Sequence, residues 1–141
     1  MKILIFIENN ILDENLNPIA AAVEKINTWI EKGAEVDYLT GTYKFVELKK
    51  LTDKFDDLGL STKRVHARQP NEKYVDIVQN EAKARVFVEN QENSGEPKYV
   101  SERLKDDMNI TSIVLEPKQG LDHLPDDLED LKHYGEKKDE E

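Results

Sequence analysis

Apolar and polar positions along the chain alternate between two periods. Residues 3–7, Ile-Leu-Ile-Phe-Ile, form an unbroken apolar run, the pattern of a strand covered on both faces. Asn17-Pro18 then offers a cap followed by proline at a first helical position. Ile19, Ala22, Val23, Ile26 and Ile30 recur at helical spacing until Gly33 supplies a stop. "EVDYLTG" (35–41) reads as a second strand. Phe45, Leu48, Leu51, Phe55 and Leu58 mark a second helix, closed by Gly59. "KRVHAR" (63–68) is the weakest strand pattern, with Val65 and Ala67 set among charged neighbours. Asn71 caps a third helix whose inner face carries Tyr74, Ile77 and Val78. "ARVFVEN" (84–90) is again a buried strand. The loop 91–97 leads to a helix with Val100 and Leu104 inside, and residues 111–116 form a fifth strand. Asp126 to Tyr134 close the pattern as a short helix bearing Leu128 and Leu131.

Five strand–helix units with short connections define an α/β protein. Parallel strands need crossovers, and crossovers are right-handed, so the expected architecture is a three-layer α/β/α sandwich around a five-stranded, mostly parallel sheet of Rossmannoid type. The two continuous apolar strands, 3–7 and 86–88, belong in the middle, and 63–68 at an edge. With 141 residues one domain with a real core is expected. It spans 1–134, and "GEKKDEE" (135–141) is read as an acidic, disordered tail.

Charge narrows the function. The formal net charge is −10, from 20 basic and 30 acidic side chains, a surface that repels phosphate backbones and so disfavours nucleic-acid binding. No run approaches the ~18 apolar residues of a membrane span. "MKILIFIENN" has one Lys, a short apolar run and no small-residue cleavage site, so no signal peptide is read and a cytoplasmic protein is expected. The absence of cysteine removes disulfides, thiolate metal sites and cysteine nucleophiles.

Open parallel sheets bind ligands beyond the carboxyl ends of their strands, where the strand order reverses. That rule selects Glu8-Asn9-Asn10, Thr40-Gly41, Arg68 and Glu89-Asn90. No glycine-rich phosphate loop occurs, and no G-x-S-x-G elbow. Each candidate also has a plainer reading. Asn9 and Asn10 can serve a turn, Thr40-Gly41 can end a strand, and Arg68 and Lys73 can be solvated charges. His66, His123 and His133 lack the spacing of a metal site, and Trp29 reads as packing.

The strand ends together resemble the haloacid dehalogenase-like (HAD-like) superfamily, whose members are mostly phosphatases. "KILIFIENNIL" lies where that family has a hydrophobic strand and Asp-x-Asp. "VDYLTG" places Thr40 at the family's Thr/Ser, "ARQPNEKY" offers Arg68 or Lys73 for its cation, and "RVFVENQENSG" puts Glu89-Asn90 where two acids stand. "IVLEPKQGLDHLP" is similar to small members of the superfamily. The resemblance covers residues 1–134 and implies a capless site.

It departs at the first motif. One alignment puts Ile7 at the nucleophile and Asn9 at the general acid; a slip of one residue puts Glu8 and Asn10 there instead, on the opposite face of the strand. Isoleucine cannot attack phosphorus and an amide is no proton donor near neutral pH. The resemblance therefore implies a catalytically degenerate binding or regulatory module. Its residual site for a phosphate-like anion comprises Asn9, Asn10, Thr40, Gly41, Arg68 and Lys73. The competing reading is a metal-dependent phosphatase using Glu8 or Glu89, with Mg2+ held by Glu8, Glu89 and Asn90. A third is a structural subunit with an unidentified protein partner and a large apolar surface patch.

Overall fold

A computed structural model describes residues 1–19, 21–40, 47–60, 64–67, 73–80, 84–90, 109–116 and 118–134. Its elements are β1 (Lys2–Phe6), α1 (Ala22–Glu31), β2 (Glu35–Thr40), α2 (Leu48–Leu58), β3 (Val65–Ala67), α3 (Tyr74–Asn80), β4 (Ala84–Asn90), β5 (Thr111–Leu115) and α4 (Leu128–Lys132). The sheet order is β3-β2-β1-β4-β5, and every pairing among these strands is parallel. The two continuous apolar strands are interior and the weakest strand is an edge, as their patterns predict. The expected helix around Val100 and Leu104 and the acidic tail lie outside the described residues. Among those described, no helix is long and apolar enough to cross a membrane.

Strand alternation sorts the core onto two faces of the sheet. Ile3, Ile5 and Ile7 pack with Ile26 and Trp29 of α1, Phe55 of α2 and Leu131 of α4. Leu4, Phe6, Leu39 and Phe87 instead meet Tyr74, Ile77 and Val78 of α3, with the Phe6 ring edge-on to Tyr74 at 4.8 Å. Helices thus lie on both faces, which explains why β1 carries no polar position in its apolar run. Gly33 and Gly59 end their helices at φ 104° and 82°, a conformation glycine adopts without Cβ strain.

Helix α1 does not start at Asn17-Pro18. Residues 11–19 fold back on themselves instead: Leu12 and Pro18 form an antiparallel bridge and Ile19 N–H donates to Ile11 O at 2.8 Å. Asp13 organises the turn by accepting from the N–H groups of Asn15 (2.8 Å) and Asn17 (3.0 Å), a local competition with helix that short polar side chains favour. These N–H bonds, that of Asn17 foremost, hold the Asp13 carboxyl below its ordinary range. The helix begins only at Ala22, after Ala21 at φ 64°.

The segment after β5 is locked onto α1. Lys25, only 9% exposed, donates to Leu124 O at 2.6 Å and to Asp126 at 2.5 Å. The Trp29 indole N–H donates to Pro125 O at 2.9 Å. The Lys25 ammonium pulls the Asp126 carboxyl below the usual aspartate value through its hydrogen bond and its charge.

Candidate functional site

The strand order reverses between β1 and β4, so their carboxyl ends flank the switch point at which open sheets take ligands. Pairing continues past β1, where Ile7 N–H donates to Leu39 O at 2.9 Å. The chain then closes one turn on a single acceptor. The Ile7 carbonyl receives the N–H groups of Asn10 (3.3 Å), Ile11 (3.0 Å) and Leu12 (3.2 Å). Asn9 sits inside this turn at φ 62°, a left-handed conformation that Asn tolerates better than most side chains. The tightness of the turn explains the Glu-Asn-Asn sequence at this point.

Residues 7 and 8 send their side chains to different places. Ile7 is 1% exposed and packs in the α1-side core, so its side chain belongs to the interior. Glu8 points elsewhere, half-buried, and its carboxylate accepts the Thr40 hydroxyl proton. Thr40 is 1% exposed at the end of β2.

Glu89 and Asn90 are likewise buried at the end of β4, and Glu89 is engaged within the protein. The Asn90 amide nitrogen donates to Glu8 O at 2.6 Å and approaches Asn10 Oδ1 at 3.4 Å. The structure therefore brings Glu8, Asn10, Thr40 and Asn90 into one bonded group. Asn9 joins it through the backbone, since its carbonyl accepts from Lys118 N–H at 2.8 Å.

The donors and acceptors of this group have a fixed sense. A carbonyl oxygen only accepts, so Asn90 must present its nitrogen to Glu8 O. Asn10 then presents its oxygen to that same nitrogen, which turns its own NH2 group away. Asn10 is fully buried, and among the described residues its Nδ2 has no hydrogen-bond partner. A buried N–H without an acceptor costs about 1–3 kcal/mol.

The same geometry is poor for Mg2+. That ion takes octahedral oxygen ligands, usually including carboxylates. Among the described residues no three His, Asp or Glu side chains gather to hold a metal. Glu8 has one carboxylate oxygen engaged by Thr40, Asn90 directs its nitrogen inward, and the orphan Asn10 NH2 is the wrong pole for a cation. The residues present do not fit a magnesium site.

Of the remaining candidates, Gly41 and Arg68 lie outside the described residues. Lys73 is exposed at the start of α3, where its carbonyl accepts from Asp76 and Ile77 N–H. Sequence reasoning did not single out Lys118, which meets the group through its backbone. Its backbone bonds Asn9, and its ammonium pairs with Glu14 at 3.0 Å; a backbone hydrogen bond first, and Lys118 second, hold the Glu14 carboxyl below its ordinary value. The rule that selected the ends of β1 and β4 applies equally to the loop after β5, which is where Lys118 stands. His123 contributes only a ring contact with Tyr134 at 6.4 Å. No family model, curated protein or solved structure matches this chain.

Proposed function

We propose that this chain is a HAD-like binding module that has lost phosphoryl transfer and retains a site for a small oxyanion such as phosphate. One observation carries the reading: the fully buried, unpartnered NH2 of Asn10 at the switch point, a donor that an oxyanion oxygen satisfies. The loss of catalysis rests on the first motif, where neither Ile7 with Asn9 nor Glu8 with Asn10 supplies the family's pair of aspartates. The order of the five strands and the position of Thr40 and Glu89-Asn90 at their carboxyl ends support the family assignment.

The test is thermal stability of the chain and of Asn10→Ala against inorganic phosphate, run beside turnover of an aryl phosphate with Mg2+ or Mn2+. Phosphate raises Tm of the natural chain, and at about 100 times Kd the gain is about 2.7 kcal/mol. Asn10→Ala folds but loses the shift, and neither protein turns over substrate. A natural chain unresponsive to phosphate defeats the binding reading. Turnover abolished by Glu8→Gln or Glu89→Gln replaces it with the enzyme reading.

A further inference from the structure

A cavity of about 240 Å³ lies on the α3 side of the sheet, over β1, β2 and β3, away from the switch point. Its floor is apolar: Leu4, Leu39 and Ile77, the first two being strand residues of the α3-side core. Its wall is charged, built by Lys2, Asp37 and Arg64 beside His66.

Lys2, Asp37 and His66 stand on the sheet face that carries the α3-side core. Lys2, Leu4 and Phe6 alternate onto one face of β1. Leu4 pairs with Asp37 and Leu39 with His66 in register, so Asp37 and His66 share that face. Helix α3 has seven residues, about 10 Å of helix, and packs on Leu4, Phe6 and Leu39.

Lys2 and Asp37 form an ion pair at 3.3 Å with side chains only 12% and 16% exposed. Removing such a pair from water brings no gain over apolar packing of the same volume, so packing alone does not account for it. Arg64 adds a second cation to the same carboxylate, its Nε at 2.9 Å from Asp37. Its guanidinium is 64% exposed and stands 3.7 Å from Glu35, a contact too long for a hydrogen bond, so the outer edge of its donor fork can still bond a ligand. Among the described residues, the cavity wall thus carries two cations and one carboxylate in a chain of net charge −10.

We propose that this cavity is a second ligand site, one that takes a small amphipathic monocarboxylate. The apolar body lies on Leu4, Leu39 and Ile77, and the carboxylate bonds the outer edge of Arg64, the planar fork that suits a carboxylate better than an ammonium does. At ~30 Å³ per water-sized unit the volume admits about eight heavy atoms, the size of benzoate or hexanoate. A dicarboxylate or nucleotide is too large or too highly charged for a wall that already contains Asp37.

Benzoate is the probe, with benzamide as its uncharged isostere, titrated into the full chain and followed by backbone amide NMR. Benzoate shifts the amides of Leu4, Leu39 and Val65 saturably, benzamide binds more weakly, and Arg64→Gln weakens benzoate by at least about tenfold, the usual effect of losing a charge-assisted hydrogen bond. The proposal is overturned by shifts confined to Thr40 and Asn10, by none that saturate, or by benzamide binding as tightly as benzoate. Unchanged benzoate affinity in a folded Arg64→Gln overturns it as well. The benzamide comparison uses the natural chain and needs no variant to fold.

Discussion

Replacing Ile7 by Asp recreates, in one alignment, the acid that the haloacid dehalogenase-like resemblance leads one to seek, and the structure makes a definite forecast for it. Ile7 is 1% exposed among core side chains. Cutting such a side chain back costs about 2–5 kcal/mol in lost burial and cavity formation. The new carboxyl must also stay neutral in the core. If its pKa rises by about three units, then at about 1.4 kcal/mol per unit the protein loses roughly 4 kcal/mol more at pH 7. The sum approaches the whole ~5–15 kcal/mol stability of an ordinary domain. The pH sign follows from the raised pKa: the folded state keeps the proton longer than the unfolded chain, so Ile7→Asp is most stable below about pH 4 and weakens as pH rises towards the folded pKa. Ile7→Asn has no group to titrate and shows no such slope, and Ile7→Val loses only about 1 kcal/mol. Urea unfolding followed by the fluorescence of Trp29, the single tryptophan and itself fully buried, measures all three from pH 4 to 8. An Ile7→Asp variant within about 1 kcal/mol of the natural chain at pH 7, or one that gains turnover of an aryl phosphate, would show that position 7 opens onto the site and would refute the reasoning.

Asn90→Ala leaves Glu8 O and Asn10 Oδ1 without their shared donor and lowers stability by about 2 kcal/mol in urea unfolding, whereas Asn10→Ala, which removes an unpartnered NH2, costs less than about 1 kcal/mol. Asn9→Gly keeps the left-handed turn and is neutral or slightly stabilising, while Asn9→Val loses about 1–2 kcal/mol at φ 62°, measured the same way. The Asp126 carboxyl is held low by Lys25, so its contribution is present above the ordinary aspartate pKa and is lost as pH falls through the lowered folded value. Lys25→Met lowers Tm at pH 7 and flattens that acid limb, which thermal melts from pH 2 to 7 resolve.

Much of the fold was legible because its signals are local. A five-residue apolar run cannot face water on either side, so β1 had to be interior. Charges beside Val65 and Ala67 mark an edge, and Gly33 and Gly59 close their helices where the pattern ends. The hairpin at 11–19 was not legible: Asn17-Pro18 has the composition of a helix start, and only the Asp13 side chain, by binding the N–H groups of Asn15 and Asn17, turns the chain back. The candidate site was half legible. Strand ends at a switch point named Glu8, Asn10, Thr40 and Asn90; the same rule reaches the loop after β5, but that Lys118 meets Asn9 there is a backbone bond that no side-chain pattern signals.

The sequence by itself determined the five strands, which of them are covered, and which polar residues fall at strand ends. Those properties follow from periodicity, in which each residue is compared with neighbours a few positions away. Only the tertiary structure decided that Ile7 turns into the core while Glu8 turns to Thr40, because a side chain's direction at a strand end depends on where the pleat gives way to the turn. Only it decided that Asn10 keeps an unanswered N–H, because that fact is fixed by Asn90, 80 positions away, whose nitrogen is in turn committed to the carbonyl of Glu8. Hydrogen-bond satisfaction is a property of atoms that meet in space, and it passes from one residue to the next without regard to their order in the chain.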